Sequence, residues 1–140
     1  MSLMNKSIHL TTKLYQKKVP LLPKLMQRFN RLVFSTDIPK SVKIGEGTKF
    51  AHSGLGCVLH ERTIIGSNCK ILQNVTIGGN SRGETPIIKD NVLIGAGATI
   101  IGNVTIGNNA KIGAMSLVLD DVPANTVIVA NKGKALERNK

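Results

Sequence analysis

The stretch Ile88–Val118, IKDNVLIGAGATIIGNVTIGNNAKIGAMSLV, carries a bulky aliphatic residue at every sixth place: Ile88, Ile94, Ile100, Ile106, Ile112 and Val118. Glycine follows directly at Gly95, Gly107 and Gly113. A small or β-branched residue stands four places after most of these positions, at Val92, Ala98, Val104, Ala110 and Ser116. A period of six is neither that of a helix nor that of a half-buried strand. It suits a chain wound in coils of three flat faces, each one hexad long. The aliphatic side chain points inward, and the small residue fits near a corner. Each short strand then pairs in parallel with the strand on the same face of the next coil, at the ~4.8 Å spacing of hydrogen-bonded strands. The period therefore predicts an all-β fold, a parallel β-helix of hexapeptide repeats.

The same period runs upstream. Ile65, Ile71 and Ile77 keep it, with Cys69 and Val75 at the small positions, and Ile38, Ile44 and Phe50 form a further run. With Leu59 these make thirteen hexad starts, or about four coils. Asn and Gly at Asn68, Asn91, Gly102-Asn103 and Asn108-Asn109 suit turns that need positive φ. Two places break the phase. Phe50 and Leu59 are nine residues apart, and Ile77 and Ile88 are eleven apart. The second gap is a polar, Gly-rich excursion, Gly78–Pro86. It reads either as a tolerated surface loop or as a loop closing over a site.

Outside the repeat the chain is basic. Residues 1–36 hold seven Lys or Arg and no acid, residues 37–131 hold eight basic and seven acidic groups, and residues 132–140 hold four basic and one acidic. These bounds divide the chain into a basic N-terminal helical segment, a β-helix domain and a basic tail. In the first, Leu22, Leu25, Met26, Phe29, Leu32 and Val33 recur at helical spacing with Lys24, Gln27, Arg28 and Arg31 between them. Pro23 suits the first turn. Packing of this amphipathic helix against the β-helix is the expected role, with weak membrane-surface contact as the alternative. Met1-Ser2-Leu3 ahead of Met4 reads as an added leader and is set aside. Basic ends can meet nucleic acid, an anionic surface or a polyanionic cofactor, or simply remain solvated. Nucleic acid is disfavoured, because aromatics make up only 3% of the residues and Trp is absent. Cys57 and Cys69 lack zinc-ligand spacing and read as small buried hydrophobes rather than a disulfide. Without a secretory signal, and with Pro20 and Pro23 breaking the early apolar runs, the expected location is cytoplasmic.

Three histidines could do chemistry: His9, His52 and His60. His9 lies in a weakly patterned start and receives no role. His52 sits at the first phase break. Asp37 stands fifteen residues earlier, just short of a coil, which could set its carboxylate beside His52 in the neighbouring layer. A carboxylate there would fix the imidazole tautomer and leave the other nitrogen free as a base. A purely structural Asp37–His52 contact fits the spacing as well. His60 should point outward, as a surface or supporting group. A zinc site for hydration needs three His ligands, and only His52 and His60 fall in the repeat, so no metal is expected.

The stretch Asp37–Ala130 resembles the serine acetyltransferases and their relatives among the hexapeptide-repeat acyltransferases. The matching pieces include Asp37-Ile38, Lys43-Ile44-Gly45, Ala51-His52, Ile71-Leu72-Gln73-Asn74-Val75-Thr76-Ile77-Gly78-Gly79, Ile94-Gly95-Ala96-Gly97-Ala98 and Ala110-Lys111-Ile112-Gly113-Ala114. The resemblance implies a left-handed β-helix, acetyl-CoA as cosubstrate, His52 as general base and Asp37 as its orienting group. It implies a homotrimer with acetyl-CoA lying between subunits. Gly78, Gly79, Ala96, Ala98 and Ala114 match positions lining that groove. Lys111, Lys132 and Lys134 could meet the CoA phosphates.

The departures concern the acceptor. Serine acetyltransferases usually carry Asp just before the catalytic His and Arg-His-Pro at the end of the excursion. This chain has Ala51 and Glu84-Thr85-Pro86. The groups expected to hold serine's charges are missing, and a lost clamp changes selectivity strongly. The truncated form resembles O-acetyltransferases of surface-polysaccharide pathways. The expected acceptor is therefore a small molecule offering a hydroxyl, preferably a sugar, with serine as the alternative. A non-enzymatic β-helix scaffold is the third reading.

Overall fold

Two helices precede thirteen short strands in a computed structural model that describes residues 2–133. The strands wind into three parallel sheets, one per face of the coil. The first face holds β3 (Val58–Leu59), β6 (Thr76–Gly78), β9 (Thr99–Ile101) and β12 (Leu117–Val118). The second holds β1 (Lys43–Ile44), β4 (Ile64–Ile65), β7 (Ile87–Ile88) and β10 (Thr105–Ile106). The third holds β2 (Lys49–Phe50), β5 (Lys70–Ile71), β8 (Leu93–Ile94), β11 (Lys111–Ile112) and β13 (Val127–Ile128). This is the parallel β-helix that the six-residue period predicts, and hexads of this kind fit its left-handed form.

Register shows how each coil closes. Ile87 pairs with Thr105, Leu93 with Lys111 and Thr99 with Leu117, each eighteen residues on, or three hexads. Lys43 pairs with Ile64 and Lys49 with Lys70, twenty-one residues on. Ile64 pairs with Ile87, Lys70 with Leu93 and Thr76 with Thr99, twenty-three on. The two phase breaks are thus insertions at corners, and the strands on either side stay in register. A third irregularity lies below. Lys111 pairs with Val127, sixteen residues on. The ladder of hexads read from sequence stops at Val118, and the shortened last coil is a finding of the structure.

Each hexad sends two side chains inward. The large positions Ile88, Ile94, Ile100, Ile106, Ile112 and Val118 are buried, as are the small ones, Val92, Ala98, Val104, Ala110 and Ser116. Alternating large and small side chains fill a narrow prism without voids. Each buried aliphatic contributes about 1.5–3 kcal/mol over its exposed state. The corners depend on left-handed residues. Asn68, Asn91 and Asn109 stand at one corner with φ of 55–60°, as does Asn125. Gly102 also has positive φ, whereas Asn103 and Asn108 do not. At the corner leading into the first face, Asn74 and Met115 take the same conformation.

The N-terminal helices, α1 (Leu3–Gln16) and α2 (Leu22–Phe34), reverse the sequence expectation. α1, from the weakly patterned start, is the helix that packs on the β-helix. Its Met4 and Ile8 join the same core as the hexad aliphatics. Ser2, set aside as leader, caps it: the Ser2 hydroxyl accepts from the Asn5 backbone N–H at 3.3 Å. α2 instead turns its apolar residues outward. Leu22, Leu25, Phe29, Leu32 and Val33 are all exposed. Its inner side is mixed: Pro23 is buried and Phe34 packs against the core, alongside polar Asn30 and Gln27. Asn30 accepts from the Ser7 hydroxyl at 2.7 Å, and Gln27 accepts from the Lys40 backbone N–H at 3.1 Å. Among the described residues no helix is long and apolar enough to cross a membrane.

Candidate active site

The first insertion forms a tight turn, Ala51–Gly54, between β2 and β3. His52 (φ 48°) and Ser53 (φ 54°) are both left-handed, a conformation that costs a non-glycine residue about 1–2 kcal/mol. Neighbours hold the turn in place. The Asn5 side chain accepts from the Phe50 N–H at 2.8 Å and donates to the Phe50 carbonyl at 2.9 Å. The inner side of the turn, at Gly54, lies against Met4, Phe50 and Thr36, leaving no room for a Cβ. Ser35, Thr36 and Asp37 strap the exit: Gly56 N–H donates to the Ser35 carbonyl, and Asp37 N–H to the Cys57 carbonyl. His52 itself is exposed. It borders an open cleft of about 760 Å³ shared with Asn5, Lys49, Asn68, Cys69 and Lys70.

Asp37 stands at the top of the first face, where it bridges Val58 in parallel. Its carboxylate pairs with Arg31 of α2 at 3.5 Å. With Arg31 largely exposed, that pair contributes at most ~1 kcal/mol. No hydrogen bond or ion pair joins Asp37 to His52 among the described residues. Asp37, at the end of the strap, and His52, in the turn that the strap ties, both lie towards the upper end of the first face.

Gly78 ends β6 on the first face, and Gly79 begins the excursion at that face's other corner. The excursion is tied by its own polar groups. Asn80 donates to the Glu84 carboxylate at 2.7 Å and accepts from the Glu84 N–H at 3.0 Å. Arg62 reaches in from the coil above to the Gly83 carbonyl. His60 is half-buried under Gly79, and its Nδ1 accepts from the Arg62 N–H at 3.2 Å. Nε2 then carries the proton of the neutral ring. The two insertions therefore flank a single face.

Ala96 and Ala114 stack in consecutive coils at the corner below His52, where Met115 N–H donates to the Ala96 carbonyl at 2.9 Å. Ala96 is half-buried and Ala114 exposed. Ala98 is different. Its side chain is fully buried in the core, and its carbonyl accepts from Thr76 N–H. Its side chain belongs to the inner wall of the prism, unlike those of Ala96 and Ala114. Lys111 and Lys132 are exposed. Lys134 lies outside the described residues, as does most of the basic tail.

Lys49 and Lys70 escaped the sequence reading. On the third face the register Lys49↔Lys70↔Leu93↔Lys111 stacks three cations outward in one row. Each immediately precedes a large inward residue of a hexad, Phe50, Ile71 or Ile112. The period alone would have aligned them. The row runs from the His52 cleft down to the corner that carries Ala114. Cys57 and Cys69 are free and buried. Burial pushes both thiols up, despite hydrogen bonds that oppose the shift. They are packing groups, as expected, and poor nucleophiles. No cluster of three or more His, Cys, Asp or Glu side chains forms among the described residues.

Comparison with known proteins adds to this geometry. Residues 85–120 match the bacterial transferase hexapeptide family (six repeats). The chain is 38% identical over 129 residues to a serine acetyltransferase of Synechococcus elongatus, covering 90% of this chain and 52% of that one. It superposes on a Neisseria gonorrhoeae serine acetyltransferase solved in complex with serine, with a TM-score of 0.83 and 37% identity over 94% of this chain and 55% of that one. A serine acetyltransferase in complex with CoA gives 0.79 and 37%, over 89% and 51%. The chain thus spans little more than half the length of these relatives.

Proposed function

Because the chain is a hexapeptide-repeat protein of the serine acetyltransferase-like branch, we propose that it moves an acetyl group from acetyl-CoA onto a hydroxyl. The observation that carries this reading is the braced His52 turn. It is an exposed imidazole at the head of a column of small corner residues, beside a row of lysines. Ala96 and Ala114 leave the backbone open to a pantetheine arm. Lys49, Lys70 and Lys111 offer cations to the phosphates of a polyanionic cosubstrate.

His52 is the general base. It takes the hydroxyl proton as the acceptor oxygen attacks the thioester carbonyl. The new C–O bond forms, the C–S bond breaks, and the imidazolium returns the proton to the departing thiolate. Such proton transfer contributes roughly 10²- to 10⁴-fold. Asp37 orients the site from the strap beside it. In this chain Arg31 competes for that carboxylate. A homotrimer would complete the groove with a neighbouring subunit.

The relatives favour serine as acceptor over the sugar preferred from the sequence departures. In this reading Arg62, whose guanidinium already enters the excursion, takes the place of the missing Arg and meets the serine carboxylate. The sugar reading rests on Ala51 and on Glu84-Thr85, which replace the Asp and the Arg-His expected to hold serine's charges. Steady-state release of CoA with L-serine and with a panel of sugars separates them. Serine turnover far above that of any sugar supports the first reading. A faster sugar removes serine and leaves acetyl transfer standing. No binding of acetyl-CoA and no turnover overturn the whole proposal.

A further inference from the structure

α2 leaves most of its apolar surface outside. Pro23 and Phe34 turn inward beside the hydrogen-bonded Asn30 and Gln27, while a second apolar stripe faces away from the protein. Leu25 is 52% exposed, Phe29 54% and Leu32 84%, and Leu21, Leu22 and Val33 continue the stripe. Lys24, Arg28 and Arg31 run along one flank of this stripe. A helix with segregated faces, low average hydropathy and a basic flank suits a water–lipid boundary.

The charge around it is predominantly positive, with Asp37, paired to Arg31 at 3.5 Å, as the acidic partner at its end. No acidic residue occurs in residues 1–36. At the foot of α2, next to Leu21, an open cleft of about 620 Å³ mixes Val19, Pro20 and Pro23 with Lys18, Lys24, Lys40 and Lys43. Its walls are apolar and its rim is cationic, which matches a phosphate headgroup above acyl chains. A second copy of the chain would bring like charges together. An acidic lipid surface would neutralise them.

We propose that α2 lies in the plane of an anionic membrane surface, with Leu25, Phe29 and Leu32 in the acyl boundary and the neighbouring Lys and Arg over the headgroups. Nothing in this rests on the acetyl-transfer reading. Each cation near such a surface multiplies binding by roughly fivefold. Salt should weaken the contact through screening.

The test is flotation of the full chain with vesicles of phosphatidylcholine alone, or with about a third phosphatidylglycerol. Binding is expected only to the anionic vesicles, falling with added salt. Phe29→Glu with Leu32→Glu should abolish it while leaving the far-ultraviolet circular dichroism and thermal midpoint unchanged. Lys24→Gln with Arg28→Gln should weaken it at least tenfold. Two results overturn the proposal. One is equal binding by the Phe29→Glu/Leu32→Glu chain, which reduces the contact to charge alone. The other is no binding by the parent chain to either vesicle; a lower solution mass for the variant would then make the stripe a contact between copies.

Discussion

From Ile87 to Val118 the coils close every eighteen residues, whereas above them a turn that crosses an insertion takes twenty-one or twenty-three, and Val58 to Thr76, which crosses neither, takes eighteen again. Both regions use the same large and small inward positions and the same parallel pairing. The difference lies at the corners. In the lower region a corner is only a turn. In the upper region two corners carry extra chain, and those hold His52 and the Gly79–Pro86 excursion. Loop closure costs rise slowly with length, so a β-helix can lengthen a corner without disturbing the faces on either side. The lower coils are scaffold that adds small corner residues and Lys111 to the proposed cosubstrate path, and the upper ones carry the inserted chain with His52.

That contrast can be broken at several points. His52→Ala should reduce acetyl transfer by about 10²- to 10⁴-fold and leave the thermal midpoint within the parent's range. Retention of full turnover in a CoA-release assay removes the upper corner from the chemistry. Ile100→Ala, in the regular region, should do the reverse. It opens a cavity in the prism and costs about 2–5 kcal/mol in urea unfolding, with kcat per folded molecule unchanged. A large kcat defect there would mean that the two regions are not separable. Asn5→Ala tests the brace between them. It leaves the Phe50 N–H and carbonyl without partners, at about 1–3 kcal/mol, and it should lower activity more than stability, since the His52 turn begins one residue later. Asn91→Ala sharpens the lower side. Its left-handed φ of 58° should cost an alanine about 1 kcal/mol, while Asn91→Gly should be close to neutral by the same measurement.

Much of this was legible in the sequence. The repeat is dense enough that the three faces, the two insertions and the place of His52 follow from counting. The helices were less legible, and for a physical reason. α2 displays a clear apolar stripe, but periodicity reports only that a stripe exists, not which way it faces. α1 buries Asn5, Thr11 and Thr12 alongside Met4 and Ile8, so its buried side is half polar and leaves little hydropathic signal. His9, given no role, tethers α1 by donating from Nε2 to the Thr48 carbonyl at 2.8 Å. Which wall of the prism the Ala98 side chain serves was not legible, because a small residue at a hexad position can face either way, and only its burial decides. The Lys49–Lys70–Lys111 row was visible in the period, but it becomes clear only when coils are read against one another rather than along the chain.

The bonds from Asn5 to Phe50 have a consequence beyond the turn. Phe50 lies in β2, the uppermost strand of the third face, and its N–H and carbonyl would otherwise be open on that rim. The Asn5 carboxamide offers one acceptor and one donor there, as an added strand would. His9 covers the Thr48 carbonyl on the same rim. An uncovered rim of a parallel sheet recruits further strands, and a β-helix with a bare end could stack on its neighbour into a filament. By this logic α1 is a stopper as well as a support. Without it, the chain's failure would be uncontrolled growth along the coil axis before any loss of fold.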